Sequence, residues 1–449
     1  MSSDSAPSRM IVGLGATGLA TARYCARQGW DFDLCDSRDC PPGMDRIIAE
    51  FPGANIETGS LSAELLSQYE QLVVSPGIAL ATPAIRFAID AGVEVIGDVE
   101  LFLRANTAPV IAITGSNGKS TVTELVGSLL EQAGNEVWVG GNIGVPVLDL
   151  LTKDAQSPDY VVLELSSFQL ETTQSVNAAA AVLLNLSEDH MDRYQGMDDY
   201  LAAKQRIFTG CRHVVINLDD AASLPGHTIE KTTYFGLSTP ENDQFGLVAD
   251  ESGVWIVRGD QQLVHSSDIS LKGRHNFANV MAALALIDAC EVPLAEVVPA
   301  LARFRGLDHR CQYVDSVDGV EFINDSKGTN VGSTLAAIEG LAADCSGTLH
   351  VLLGGEGKGQ DFLPLKLGLQ RFDTKTYVFG SEAASLARLF AGAVPCFRIN
   401  TMKEAFGVAI GDAREGDIVL LSPACASFDQ FKNYVARGEH FEALVRGIS

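Results

Sequence analysis

Short apolar runs alternate with amphipathic stretches along the chain, and the alternation sorts into three series. The first contains Met10-Ile11-Val12-Gly13, a helical stretch from about Thr17 to Gln28, then Asp31 to Asp36, Leu72 to Ser75 and Val93 to Ile96. Strand, helix, strand in that order predicts a parallel sheet. The second series opens at Val110 to Ile113 and continues through Val137 to Val139, Tyr160 to Leu163, Ala181 to Leu184 and His213 to Ile216. From Thr232 to Ile269 short strands separated by turn residues such as Gly236, Gly246 and Gly253 predict a small antiparallel insert, and a helix from Asn276 to Cys290 closes the unit. The third series holds Gly319 to Ile323, Leu349 to Leu353, Thr376 to Phe379 and Asp417 to Leu421. The expectation is an α/β chain of three domains, 1–97, 98–306 and 307–449. The outer two are Rossmann-like, and the middle one is a parallel sheet carrying the insert.

Composition fits this picture and narrows the partners. The 449 residues are 46% hydrophobic and 20% charged, and carry a formal net charge of −25. Such a balance disfavours a chain whose main task is gripping nucleic acid or an anionic membrane, because both reward clustered Lys and Arg. Nine cysteines without a CxxC pair read as reduced thiols of a cytoplasmic protein. Disorder is expected only from Met1 to Arg9. The apolar run Met10 to Ala20 imitates a signal peptide but is broken by Gly13, Gly15 and Gly18, and no run is long enough to span a bilayer.

The chemistry concentrates in Thr114-Gly115-Ser116-Asn117-Gly118-Lys119-Ser120-Thr121, which follows an apolar strand and precedes the helix Val122 to Gln132. Glycines at 115 and 118 let backbone N–H groups face phosphate oxygens, and Lys119 can reach the outer phosphates. Ser120 can hold Mg²⁺. Ile113 occupies the place of the first Walker glycine, so the loop is a variant. Glu164, at the end of its strand, can complete the metal shell that Ser120 begins. Read alone, the loop supports a nucleotide-using enzyme.

Gly13-Leu14-Gly15-Ala16-Thr17-Gly18, between strand and helix with Asp36 downstream, fits a dinucleotide fingerprint. By itself it favours a nicotinamide or flavin enzyme, though the geometry suits any diphosphate. His190, in Ser187-Glu188-Asp189-His190-Met191-Asp192-Arg193, and Lys204, on a helix from Asp198 to Phe208, cannot be promoted by spacing. A lone His is usually structural, and Lys204 reads as an exposed lysine.

Taken together, the loop, Leu163-Glu164-Leu165-Ser166-Ser167-Phe168-Gln169-Leu170-Glu171 and the His190 segment resemble the Mur ligases of peptidoglycan synthesis. The likeness runs on through Gly140 to Gly144, Gly273-Arg274-His275-Asn276, His309-Arg310, Asn324 to Lys327 and Ser422 to Ser427. It implies an ATP-dependent amide ligase joining D-glutamate to UDP-N-acetylmuramoyl-L-alanine through an acyl phosphate, and a monomer. It also implies two Mg²⁺ sites, with Ser120 and Glu164 at one, His190 and Lys204 at the other, and Lys204 carried as a carbamate formed with CO₂. Gly115 to Thr121 (Ser116 and Asn117 included), Asn276, Asn279, Arg310 and Asp325 match positions that bind ATP. Thr17, Ser37, Arg38 and Ser75 match those around the uridine nucleotide. Asn142 and Lys327 fall at substrate positions, and Thr329, Lys358, Ser427, Phe428 and Tyr434 at the pocket for the incoming amino acid.

Without the resemblance, Asn276 reads as a helix N-cap, Lys358 as a solvated loop lysine, Arg310 and Lys327 as surface charges and Asp325 as a turn former. Phe428 and Tyr434 read as core or half-buried aromatics. Gln312 replaces a Glu common in the family, and Ser37 a Thr. A folylpolyglutamate-type ligase shares the loop variant, and a nicotinamide oxidoreductase or a P-loop regulatory protein are rivals from other classes.

Overall fold

The computed structural model describes residues 8–151, 157–191, 193–227, 229–271, 273–304, 306–342 and 345–448. Three sheets follow one another along the chain. The first contains β1 (Arg9–Val12), β2 (Asp33–Asp36), β3 (Ile56–Thr58), β4 (Gln71–Val74) and β5 (Glu94–Ile96), all parallel, in the order β3-β2-β1-β4-β5. That is the doubly wound arrangement expected of a Rossmann-like unit. Gly18, where the first helix (Ala16–Gln28) meets the sheet, has no room for a side chain: a Cβ there would collide with the Gly13 carbonyl.

Ser8 and Arg9 fall within the expected disordered start but are described. Arg9 is a buried strand residue whose guanidinium lies 3.9 Å from the centre of the Trp30 ring and donates to Gln71 at 2.6 Å. Residues 1–7 lie outside the described residues.

The central sheet has nine strands: β6 (Val110–Thr114), β7 (Val137–Gly141), β8 (Tyr160–Glu164), β9 (Ala180–Leu183), β10 (His213–Asn217), β11 (Lys231–Phe235), β12 (Phe245–Asp250), β13 (Gly253–Arg258) and β14 (Gln261–His265). Their order is β14-β13-β12-β11-β10-β9-β6-β8-β7. The predicted antiparallel strands are present, but they extend the main sheet. β11 and β12 continue it in parallel, and only the β12–β13 and β13–β14 pairs run antiparallel. β6 is buried along its whole length, which places the phosphate loop at the centre of the sheet's carboxyl edge. One face is covered by the helices Lys119–Gln132 and Arg274–Ala289. The other is covered in part by the helix Asp98–Ala105, whose Val99 and Phe102 share a core with Val73 of the first sheet and Leu163 and Leu183 of the second. Asn276 is not the N-cap of its helix: the cap is Gly273, and Asn276 sits in the first turn.

The third sheet has the order β15-β16-β20-β17-β18-β19, with β15 (Gln312–Val317), β16 (Val320–Asn324), β17 (Leu349–Gly354), β18 (Thr374–Phe379), β19 (Cys396–Arg398) and β20 (Ile418–Leu421). It is parallel except for the β15–β16 hairpin. β15 does not figure in the sequence reading because its half-exposed residues carry no apolar run.

Candidate functional site

The carboxyl ends of β6, β8 and β9 and the loops after β16 converge on a cavity of about 750 Å³. On its wall the carboxylate of Glu164, 1% exposed, accepts from the Ser120 hydroxyl at 2.5 Å and from the Asn142 amide at 2.7 Å. Arg310 reaches across from the C-terminal domain to donate to the same Ser120 Oγ at 2.7 Å. Among the described residues no ion pair reaches Glu164 directly. Its direct donors are neutral, and the cations that feel its charge, Lys119, Lys204 and Lys327, stand farther off; an oxygen-preferring divalent cation fits this donor set.

Lys119 curls over its own loop and donates to the carbonyls of Gly115 (2.8 Å) and Ser116 (2.9 Å). Gly118 caps the following helix with φ of 81°, and a Cβ there would lie 2.5 Å from the Asn279 Oδ1. Only glycine serves at that contact. Asn279 in turn donates to Asn276 at 3.1 Å, so the two asparagines form one unit against the loop.

Lys204 is 1% exposed, contrary to its reading as a surface lysine. Its Nζ donates to the Gly115 carbonyl at 2.8 Å and lies 4.7 Å from the centre of the Tyr200 ring. Burial, reinforced by nearby Lys119, holds its pKa well below the ordinary lysine value. A neutral amine is the nucleophilic form, so the site suits carbamate formation with CO₂. His190 lies in the same cavity with φ of 59° and its ring 4.7 Å from that of Phe168.

The structure joins to this site several residues that the sequence left without a role. Asp189 accepts from Lys358 at 3.2 Å, lies 3.6 Å from His190 Nε2 and accepts from Asn330 at 3.4 Å. Burial opposes ionisation of Asp189, but Lys358 and His190 outweigh it and keep the carboxyl below the usual range. Lys358 is therefore an ion-paired residue, not a solvated loop lysine. Asp189 adjoins His190 in the sequence, yet an acidic neighbour before a helix reads as a cap, and only the fold brings Lys358 to it.

Lys327 and Asp325 are also within the site's walls. Burial and then Arg310 push Lys327 down to about 8. Its Nζ sits 4.0 Å above the Tyr434 ring. Burial raises Asp325 to about 6, against the hydrogen bond from Ser422. Lys327 is therefore not a simple surface charge, and Asp325, 6% exposed, does open a turn, its carbonyl accepting from the Gly328 N–H at 2.8 Å, while its carboxyl is buried in the site. Thr329 lines the cavity, whereas Ser427 and Phe428 do not. Ser427 is buried, and Phe428 is 68% exposed rather than core or half-buried. Gln312 accepts from the His309 backbone N–H at 2.7 Å, as a glutamate could, and its Nε2 donates to Asp308 at 3.3 Å, as a glutamate carboxylate could not.

A second cavity, about 980 Å³, opens between the N-terminal sheet and the other two domains. Thr17, Ser37, Arg38 and Ser75 line it; Asn142, Arg310 and Lys327 line both cavities, and Tyr434, expected at the amino-acid pocket, lines this one and not the first. Asp36, the acid a nicotinamide ribose would need, is engaged within the protein. It accepts from the Leu14 N–H at 2.7 Å and from Arg38 at 2.8 and 2.7 Å. Burial works against its ionisation, but these bonds prevail and hold it at about 2.

Comparison with known proteins agrees with this geometry. Residues 7–97 match the family model for the Mur ligase MurD-like N-terminal domain, 113–287 that of the Mur ligase middle domain and 309–425 that of the Mur ligase glutamate ligase domain. A protein of Marinobacter nauticus named UDP-N-acetylmuramoylalanine--D-glutamate ligase is 47% identical over 440 residues, covering 98% of each chain. The protein of that name from Pseudomonas aeruginosa is 46% identical over 443 residues, again 98% of each. Among solved structures, UDP-N-acetylmuramate-alanine ligase of Thermotoga maritima matches at TM-score 0.60 and 18% identity, over 99% of this chain and 100% of that one. A pseudomurein peptide ligase type C of Methanothermus fervidus matches at 0.61 and 18%, with the same coverage.

Proposed function

The chain belongs to the Mur ligase family, and from that premise we propose that it is the ATP-dependent ligase adding D-glutamate to UDP-N-acetylmuramoyl-L-alanine, with release of ADP and phosphate, in peptidoglycan precursor synthesis. The observation that carries the reading is the meeting, in one cavity, of a phosphate loop, the desolvated Lys204, cations from the C-terminal domain and buried Glu164, whose partner Ser120 lines the adjoining cavity. The full-length relatives named for this reaction set the substrate pair.

A carboxylate is a poor electrophile at neutral pH, so an amide bond requires one of its oxygens to become a leaving group. The loop amides and Lys119 would steady charge on the γ-phosphoryl as it passes to the L-alanyl carboxylate. Arg310, already within reach of Ser120, would add positive charge from the C-terminal domain. Mg²⁺ held by Ser120 and Glu164, and a second ion held by His190 and a carbamate on Lys204, would supply Lewis-acid stabilisation of these oxygens. The amine of D-glutamate then attacks the acyl phosphate, and phosphate leaves.

The two cavities support a division of roles among the domains. Residues 1–97 would hold the uridine nucleotide, 98–306 the ATP, and 307–449 the amino acid through Thr329 and Lys358. Ser427 and Phe428 would join that pocket only after movement of their loop. Asn276, Asn279 and Asp325 would hold the nucleoside end of ATP. No described helix is long and apolar enough to cross a membrane; the reading places the protein in the cytoplasm as a monomer.

The test is phosphate release from ATP, Mg²⁺ and UDP-N-acetylmuramoyl-L-alanine with D-glutamate, L-glutamate, L-alanine or diaminopimelate as acceptor. D-glutamate alone should support turnover. Turnover with another acceptor in its place would overturn the substrate assignment, and cofactor absorbance changes without phosphate release would favour an oxidoreductase.

A further inference from the structure

Arg193 lines neither cavity, yet it touches an element of each. Its Nη1 donates to the Pro76 carbonyl at 2.8 Å, and its Nη2 lies 3.5 Å from that of Ile78. Both carbonyls belong to the loop after β4, whose Ser75, Pro76, Gly77 and Ile78 wall the second cavity. The same Nη2 donates to Glu171 at 2.7 Å, with both side chains largely buried at 12% and 16% exposure. Glu171 is fixed from its other oxygen by the Tyr194 hydroxyl at 2.6 Å. The guanidinium carbon also lies 3.9 Å from the centre of the Phe168 ring, which has His190 at 4.7 Å and Tyr194 at 6.1 Å as further ring neighbours.

One side chain thus spans the nucleotide-sugar loop, the short helix Ser167–Glu171 after Glu164's strand, and the aromatic ring against His190. We propose that Arg193 is a positioning residue, pinning the nucleotide-sugar loop to the activation centre so that the substrate carboxylate arrives in line with the phosphoryl group. This rests on the ligase reading above.

Arg193 is not needed to hold the two domains together. The helix Asp98–Ala105 does that through the shared core with Val73, Val99, Phe102 and Leu163, and Glu100 accepts from the backbone of Gln174 and Ser175 at 2.7 and 3.0 Å. Removing the guanidinium frees the loop and the Phe168 face locally. A planar fork is required, because one head group must serve two carbonyls and a carboxylate while stacking on a ring. Lysine keeps the charge but can satisfy only part of that set.

The experiment is steady-state kinetics of the full-length wild type, Arg193→Ala, Arg193→Lys and Phe168→Leu, each substrate varied in turn, with thermal unfolding alongside. Arg193→Ala should raise KM for the nucleotide sugar and lower kcat, each about 10-fold, because small misalignments are costly in a two-substrate transfer. KM for ATP should stay within about twofold. Arg193→Lys should recover part of both losses. Phe168→Leu, which keeps the carbonyl contacts, should lower kcat while leaving KM for the nucleotide sugar near wild type. If Arg193→Ala does not fold, the Arg193→Lys and Phe168→Leu split decides. Equal rises in every KM, or wild-type kinetics in the variants, would overturn the proposal. A wild type without D-glutamate-dependent phosphate release would instead overturn the ligase reading.

Discussion

Lys204 shows what one residue gains from its surroundings. On an isolated helix it is a solvated cation; beneath the phosphate loop it is desolvated beside Lys119 and driven toward the neutral amine. Lys204→Ala should reduce turnover by about 100-fold or more, partly restored by a small added carboxylate standing in for the carbamate. Full activity in that variant would remove Lys204 from the site. Lys327 gives a pH prediction. In the proposed role its ammonium would hold an anionic substrate, and burial lowers its pKa to about 8, so kcat/KM should fall as pH rises through about 8. Lys327→Arg should carry that limb to higher pH; an unmoved limb would assign it to another group. Asp36 acts on stability. Its folded pKa is depressed, so its contribution is present above the unfolded value near 4 and fades as pH falls toward 2. Asp36→Asn should cost about 2 kcal/mol at pH 7 and flatten the acid side of the stability profile, as read by denaturant unfolding. The loop residues and Glu164 were legible in the sequence because strand, turn and helix lie next to them. Lys204 and Lys358 were reached only through the family resemblance, and Asp189 not at all, since burial and ion pairing come from segments far apart in the chain.

At the scale of elements, the parallel strands announced themselves as continuous apolar runs, as strands buried on both faces must. The edge elements did not. β15 has no apolar run to find, and the hairpin strands β12 to β14 gave a correct antiparallel signal without revealing that they continue the central sheet. The junction of β6 with the helix Lys119–Gln132 depends on backbone that only glycine supplies at position 118. Gly118→Ala should leave the far-ultraviolet circular dichroism intact and weaken ATP affinity by about 10-fold or more, because the Asn279 contact and the loop's amides must shift together. Unchanged affinity by calorimetry would show that the loop tolerates another geometry.

For the whole molecule, the C-terminal domain closes on the phosphate loop through few but specific contacts: Arg310 to Ser120, Lys358 to Asp189, and Asn330 to Asn117 at 3.2 Å. These place positive side chains at an anion site inside a protein of net charge −25, where only local concentration of charge can serve. The three-domain plan was visible in the three βα series, but the closed arrangement was not, because each closing contact joins residues more than a hundred positions apart.

In the proposed reaction ATP activates a carboxylate that D-glutamate then captures, and an oxygen label follows that transfer atom by atom. With ¹⁸O in the L-alanyl carboxylate of UDP-N-acetylmuramoyl-L-alanine, mass spectrometry of the phosphate released during turnover with D-glutamate should find a carboxylate oxygen transferred to phosphate in each turnover. Phosphate released without label, or released equally when D-glutamate is omitted, would contradict it.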